Sequence, residues 1–101
     1  MKEQTSVKQF YKHYIGHYLG LDVHDVSFKP WAKGGTHIPL KANMVITVEP
    51  GIYIQDDDET VETKWRGIGI RIEDNLVLTE NGAYNMTTAP RSIEEIEAVF
   101  L

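Results

Sequence analysis

Met44-Val45-Ile46-Thr47-Val48-Glu49-Pro50-Gly51-Ile52-Tyr53-Ile54 is the stretch on which the fold turns. Residues 44–49 have strong strand propensity, Pro50-Gly51 punctuates the run, and Ile52-Tyr53-Ile54 continues it. Downstream, Gly67 to Glu73 alternates, with Ile68, Ile70 and Ile72 on one face and Gly67, Gly69, Arg71 and Glu73 on the other. Asp74-Asn75 predicts a turn or bulge before Leu76-Val77-Leu78-Thr79, and Asn81-Gly82 is a strong turn signal.

Both flanks of this β centre read as helical. Val7, Phe10, Tyr11, Tyr14, Ile15, Tyr18 and Leu19 recur at the i, i+3, i+4, i+7 spacing of an amphipathic helix. Ser6 is placed to cap its start, and Gly20 to end it in a left-handed conformation. Leu21 to Val26 alternates as a short strand or extended turn, and residues 27–41, with two prolines and Gly34-Gly35, read as an irregular loop. Near the end, Ser92 and Glu95 form a capping box ahead of an apolar stripe of Ile93, Ile96, Val99 and Phe100 that is expected to be buried. The expected layout is α+β, a mainly antiparallel sheet covered by helices.

Composition narrows the function classes. With 101 residues, 42% apolar and 25% charged, the chain has the make-up of a globular protein rather than a disordered one. No apolar run reaches membrane-spanning length. The net charge of −5 argues against a nucleic-acid partner, whose backbone would demand clustered positive charge. Without cysteine there are no disulfides, no thiol catalysis and no cysteine-ligated zinc. Met1 leads into a polar stretch with no secretory apolar region, so the expected location is cytoplasmic. The length allows one domain burying roughly 60–70% of its unfolded surface, which leaves little room to enclose a site.

Three features carry chemistry. His13, His17 and His24 fall within a short span, the first two one turn apart if the segment is helical. No Glu follows His13, so the H-E-x-x-H zinc pattern fails, and the histidines read either as ligands or as ordinary surface side chains. Glu49 ends a strand. It is either the first solvated residue there or a carboxylate needing a proton, a partner or a cation. Arg71 and Glu73 share a face with two glycines, which reads either as a solvated face with an ion pair or as one that lets a ligand or backbone approach closely. Taken together they suggest a mixed imidazole–carboxylate site for manganese, zinc, cobalt or iron.

The segments His13-Tyr14-Ile15-Gly16-His17-Tyr18-Leu19-Gly20-Leu21-Asp22-Val23-His24-Asp25, Val48-Glu49-Pro50-Gly51-Ile52-Tyr53 and Arg66-Gly67-Ile68-Gly69-Ile70-Arg71-Ile72-Glu73-Asp74 closely resemble, in order, three motifs of the aminopeptidase P and proline dipeptidase family. Ser92-Ile93-Glu94-Glu95-Ile96-Glu97 is similar to the closing helix of the bacterial aminopeptidases P. The resemblance covers about Phe10 to Leu101. It implies a pita-bread fold and a site for two divalent metal ions, manganese in the bacterial branch. It further implies hydrolysis of the bond between the first residue of a peptide and a proline at the second position. By resemblance, His17, Glu49 and Glu73 are metal ligands, with Glu73 bridging both ions. Glu49 takes up a proton from the nucleophile, and His24 stabilises the substrate carbonyl or tetrahedral intermediate. His13 lines the proline pocket, and Arg71 braces the site from behind the ligands. The wording around Arg66 to Ile70 looks more like aminopeptidase P than proline dipeptidase.

One departure is large. The family's site takes five protein ligands, two of them aspartates from the preceding half of the catalytic domain, and nothing in this sequence matches that segment. Residues 1–101 are therefore expected to form the C-terminal half of the catalytic domain, with the N-terminal domain and the first catalytic half absent. The expected function is Xaa-Pro aminopeptidase-type hydrolysis, weak or lost in the isolated chain, with one metal ion or none bound. The rival expectations are a proline dipeptidase, and a non-catalytic binding module that associates with itself or with a partner supplying the missing half. Peptide is the expected substrate, with no nucleic-acid or membrane partner.

Overall fold

The computed structural model describes residues 7–26 and 39–100. Among these, five strands and one α-helix follow in order: β1 (Val45–Val48), β2 (Gly51–Tyr53), β3 (Gly69–Arg71), β4 (Asp74–Thr79), β5 (Gly82–Asn85) and α1 (Ile93–Phe100). Val7–Gln9 and Thr63–Trp65 are single 3-10 turns. The architecture is α+β.

One antiparallel register organises the centre. β1 pairs with β4 from Val45↔Val77 to Val48↔Asp74, and β2 pairs with β3 from Gly51↔Arg71 to Tyr53↔Gly69. Both ladders continue the same count, so residues 45–54 and 68–78 are two long arms of one ladder. Backbone bonds from Ile72 N to Pro50 O (3.2 Å) and Ile54 N to Ile68 O (2.9 Å) keep that count across the gap and beyond it. The ladder opens at Glu49-Pro50 and Ile72-Glu73, where proline has no N–H to give. β5 adds to β4 through Thr79↔Gly82, so the reversal is the two-residue loop Glu80-Asn81, one position before the expected Asn81-Gly82 pair. Asp74 and Asn75 are strand members, not a turn; the interruption lies one step earlier, at Ile72-Glu73.

The expected first helix does not form. After the turn at Val7–Gln9, residues 15–19 run extended and antiparallel to β1, through Glu49 N to Ile15 O (2.6 Å), Thr47 N to His17 O (2.9 Å) and Leu19 N to Val45 O (3.1 Å). Tyr18 bridges Ile46 in the same register. The physical reason is competition: aromatic and β-branched residues fit a pleated surface as well as a helix, and β1 offers an open edge of backbone donors and acceptors. Ser6, the expected cap, lies outside the described residues, as do residues 27–38 of the expected loop. Gly20 is not in a left-handed conformation. Its lack of a side chain instead makes room for the Asp25 carboxylate, which takes the Leu21 N–H (3.0 Å) and Val26 N–H (2.6 Å) and closes residues 20–26 into a turn.

Burial is confined to the polar centre. Among the described residues no apolar side chain is buried, whereas Thr47 is 3% and Glu49 8% exposed. Ile70 and Ile52, which face each other across β2 and β3, are exposed, as are Ile68 and Ile72. The stripe of α1 is exposed too, with Ile93, Ile96, Val99 and Phe100 all open to solvent rather than buried as the sequence predicts. The helix is held by local chemistry. Glu95 N–H donates to Ser92 Oγ (3.1 Å), Ser92 N–H donates to Glu95 Oε2 (3.1 Å), and Arg91 Nη1 reaches Asp74 Oδ2 at 2.6 Å. No helix among the described residues is long and apolar enough to cross a membrane.

The capping box makes a pH prediction. Backbone hydrogen bonds from Ser92 and Arg91, then the Ser92 hydroxyl, hold the Glu95 carboxyl below the usual carboxylate range. A depressed folded pKa contributes stability that is fully present above the ordinary value and lost as pH falls through the lowered one. Amide exchange at Ser92 and in the first turn of α1 should therefore stay slow through pH 5 and quicken only in more acidic solution. In Glu95→Gln that acid-induced quickening should disappear.

Candidate metal centre

A cleft of about 320 Å³ is lined by His13, His17, His24, Glu49 and Arg71. The structure thus brings together five of the six residues singled out from sequence. The floor is β1 and the extended segment beside it, which set Glu49 and His17 against each other with His17 Nε2 3.1 Å from Glu49 Oε1. His17 Nδ1 lies 2.9 Å from the Tyr18 carbonyl, which can only accept, so Nδ1 carries the proton. The Nε2 lone pair then faces a carboxylate oxygen, and two acceptors at this distance need a second proton or a cation to join them. Glu49 Oε1 also accepts the hydroxyl hydrogen of Thr47 at 3.0 Å. Its other oxygen lies 3.9 Å from Arg71 Nε.

His13 repeats the arrangement with a different outcome. Its Nδ1 is 2.7 Å from the Tyr14 carbonyl, but its Nε2 is occupied by the Tyr53 hydroxyl at 2.9 Å. His24 comes from the turn that Asp25 closes and stands edge-on to His17, ring centres 4.5 Å apart. Spacing in sequence suggests one helix face for His13 and His17. In an extended chain residues four apart also share a face, so both still reach the cleft.

Glu73 is not among the cleft-lining residues and is exposed, in the two-residue connection between β3 and β4. The register nevertheless assigns its place. Continuing the count one position past Val48↔Asp74, or two past Gly51↔Arg71, sets Glu73 directly across from Glu49. Among the described residues no three His, Asp or Glu side chains converge closely enough to hold an ion. The donor types, an imidazole nitrogen against a carboxylate with a second glutamate in the nearby connection, suit a hard-to-borderline divalent cation, while the number of donors that converge falls short of a complete shell.

Residues 1–80 match the family model described as metallopeptidase family M24. The chain belongs to this family. The M24 chain is 51% identical over 96 residues to the Xaa-Pro aminopeptidase of Haemophilus influenzae, covering 94% of its own length and 21% of the relative's. Against the Xaa-Pro aminopeptidase of Escherichia coli it is 46% identical over 99 residues, covering 97% and 22%. Its fold matches the Pseudomonas aeruginosa aminopeptidase PepP with a TM-score of 0.81 and 50% identity, over 92% of this chain and 21% of that one. It matches E. coli aminopeptidase P with the inhibitor Pro-Leu at 0.78 and 46%, over 92% and 20%. The M24 chain therefore spans about a fifth of the length of these relatives. The fold is the α+β, C-terminal half of a pita-bread domain, and the family is one of metal-dependent peptidases.

Sequence reasoning missed three contributors: Thr47, Tyr53 and Gly16. Thr47 could have been found from its place two residues before Glu49, on the same strand face. Tyr53 lies four residues beyond Glu49, past the ladder's opening, and no periodicity carries its link to His13 across 40 residues. Gly16 lies against β1 so closely that a Cβ there would collide with the Thr47 carbonyl oxygen. Gly16→Ala should push the histidine segment off β1 and cost about 1–3 kcal/mol as overpacking against backbone, read as a lowered denaturation midpoint in urea.

Proposed function

We propose that this chain carries three metal ligands and much of the substrate wall of an Xaa-Pro aminopeptidase, and that it acts in cleaving the N-terminal residue from peptides with proline second. The observation that carries the reading is His17 Nε2 on Glu49 in a cleft shared with His13, His24 and Arg71, and the register of the flanking strands, continued by one position, would bring Glu73 opposite Glu49. Residues 1–101 are then the C-terminal part of a catalytic domain, whose remaining ligands, two aspartates by family resemblance, come from elsewhere.

His17 Nε2, Glu49 and Glu73 would hold divalent cations, two in the full site and manganese by resemblance to the bacterial branch. A cation so held supplies Lewis acidity and a water acidified towards neutral pH. The other steps belong to side chains. Glu49 is placed to accept the proton released by the attacking water. His24, beside His17 but exposed, is placed to donate a hydrogen bond to the oxyanion that develops on the scissile carbonyl. His13, fixed at both ring nitrogens, presents a rigid edge suited to the proline ring. Arg71 offsets the charge gathered at Glu49.

The test is Mn2+ uptake by calorimetry together with release of the first residue from an Xaa-Pro peptide. His17→Ala and Glu73→Gln should each weaken Mn2+ binding more than about 100-fold, beyond the range typical of residues that only support a ligand. Uptake unchanged in both variants would overturn the ligand assignment. A substrate preference for Xaa-Pro dipeptides alone would favour the proline dipeptidase reading.

A second reading rests on a separate observation, the exposure of Ile52, Ile68, Ile70 and Ile72 and of the α1 stripe. Apolar faces of this kind promote association, so the chain is proposed to pair with a second copy or with a partner supplying the other half of the site. Sedimentation velocity should show a concentration-dependent species heavier than 11.5 kDa. A single monomeric boundary at every concentration would refute self-pairing.

A further inference from the structure

Thr47 is the most buried side chain among the described residues, at 3% exposure, and it is polar. A hydroxyl in such a place must use its hydrogen and a lone pair or lose stability. Both are used, and both partners belong to the candidate centre. Oγ1 donates to Glu49 Oε1 at 3.0 Å and accepts from the backbone N–H of His17 at 3.0 Å. The second bond is unusual for a strand pair. Thr47 N–H gives to His17 O in the ordinary way, at 2.9 Å, but the return bond from His17 N–H goes to the Thr47 hydroxyl. One atom thus holds the backbone of the imidazole residue and the carboxylate it faces.

We infer that Thr47 is a positioning residue, its hydroxyl setting the relation between His17 Nε2 and the Glu49 carboxylate on which cation binding depends. This rests on the metal reading of the same site. The hydroxyl occupies one lone pair of Oε1 and stops the carboxylate from rotating away from His17. It also ties the histidine segment to β1 at the point where Gly16 permits their close approach. Loss of the hydroxyl leaves the His17 amide and Glu49 each short of a partner in a buried place.

Thr47→Val keeps the shape of the side chain and removes the oxygen, while Thr47→Ser keeps the oxygen and removes the methyl group. Two measurements on the full chain decide the matter: hydrogen exchange at the His17 amide in metal-free protein, and Mn2+ affinity by calorimetry. Thr47→Val should speed exchange at His17 and weaken Mn2+ binding by about 10- to 100-fold, as loss of a ligand-supporting partner does elsewhere. Thr47→Ser should restore both. Unchanged exchange and affinity in Thr47→Val would overturn the inference, and so would a serine variant as impaired as the valine one, since packing of the methyl group would then be the cause. Exchange needs no metal. A wild-type chain that takes up no Mn2+ therefore counts against the metal reading, while unchanged exchange in Thr47→Val still counts against Thr47 by itself.

Discussion

The site depends on one constraint, the unbroken register between residues 45–54 and 68–78. Backbone hydrogen bonding on both sides of the gap fixes the count, and the gap holds Glu49 on one arm and Glu73 on the other. Had the count slipped by one residue, Glu49 would face Ile72 or Asp74, and every side chain of one arm would change faces. The positions of Glu49 and Glu73 on the two arms are therefore specified by the sheet before any side chain makes contact. A proline follows Glu49 where the ladder opens, so the interruption itself is written into the covalent chain.

Around this register the chain is organised by polar contacts. Among the described residues Thr47, Glu49 and Gly51 are buried, while the isoleucines of β2 and β3 and the stripe of α1 face outward. Hydrophobic burial, usually the main driving force of folding, contributes little to the described part. What holds the cleft is a set of strand bonds, a carboxylate-closed turn at Asp25 and the Thr47 hydroxyl.

The sequence made the sheet legible because strands of alternating or β-branched residues bounded by proline and glycine have few other readings. It made the site residues legible as chemical types, and five of the six it named line one cleft. The extended path of residues 15–19 was not legible. Tyr14, Ile15, Tyr18 and Leu19 satisfy a helical period, and only a neighbour thirty residues away, β1, makes the extended state better. The exposure of Ile93, Ile96, Val99 and Phe100 was equally hidden, because an amphipathic stripe records that a face is apolar and not what covers it. The capping box was legible since every atom it needs lies within four residues.

His13 and His17 each present Nδ1 to the carbonyl of the residue that follows. That contact is made within a dipeptide unit, so the tautomer of each ring is chosen by its own stretch of backbone and not by the assembled site. Both rings are thereby delivered with the same nitrogen turned outward. Tyr53 then occupies that nitrogen on one ring and the Glu49 carboxylate meets it on the other. Two chemically identical side chains are left in different settings by a single phenol group, one ring engaged at both nitrogens by Tyr14 and Tyr53 and the other turned to a carboxylate.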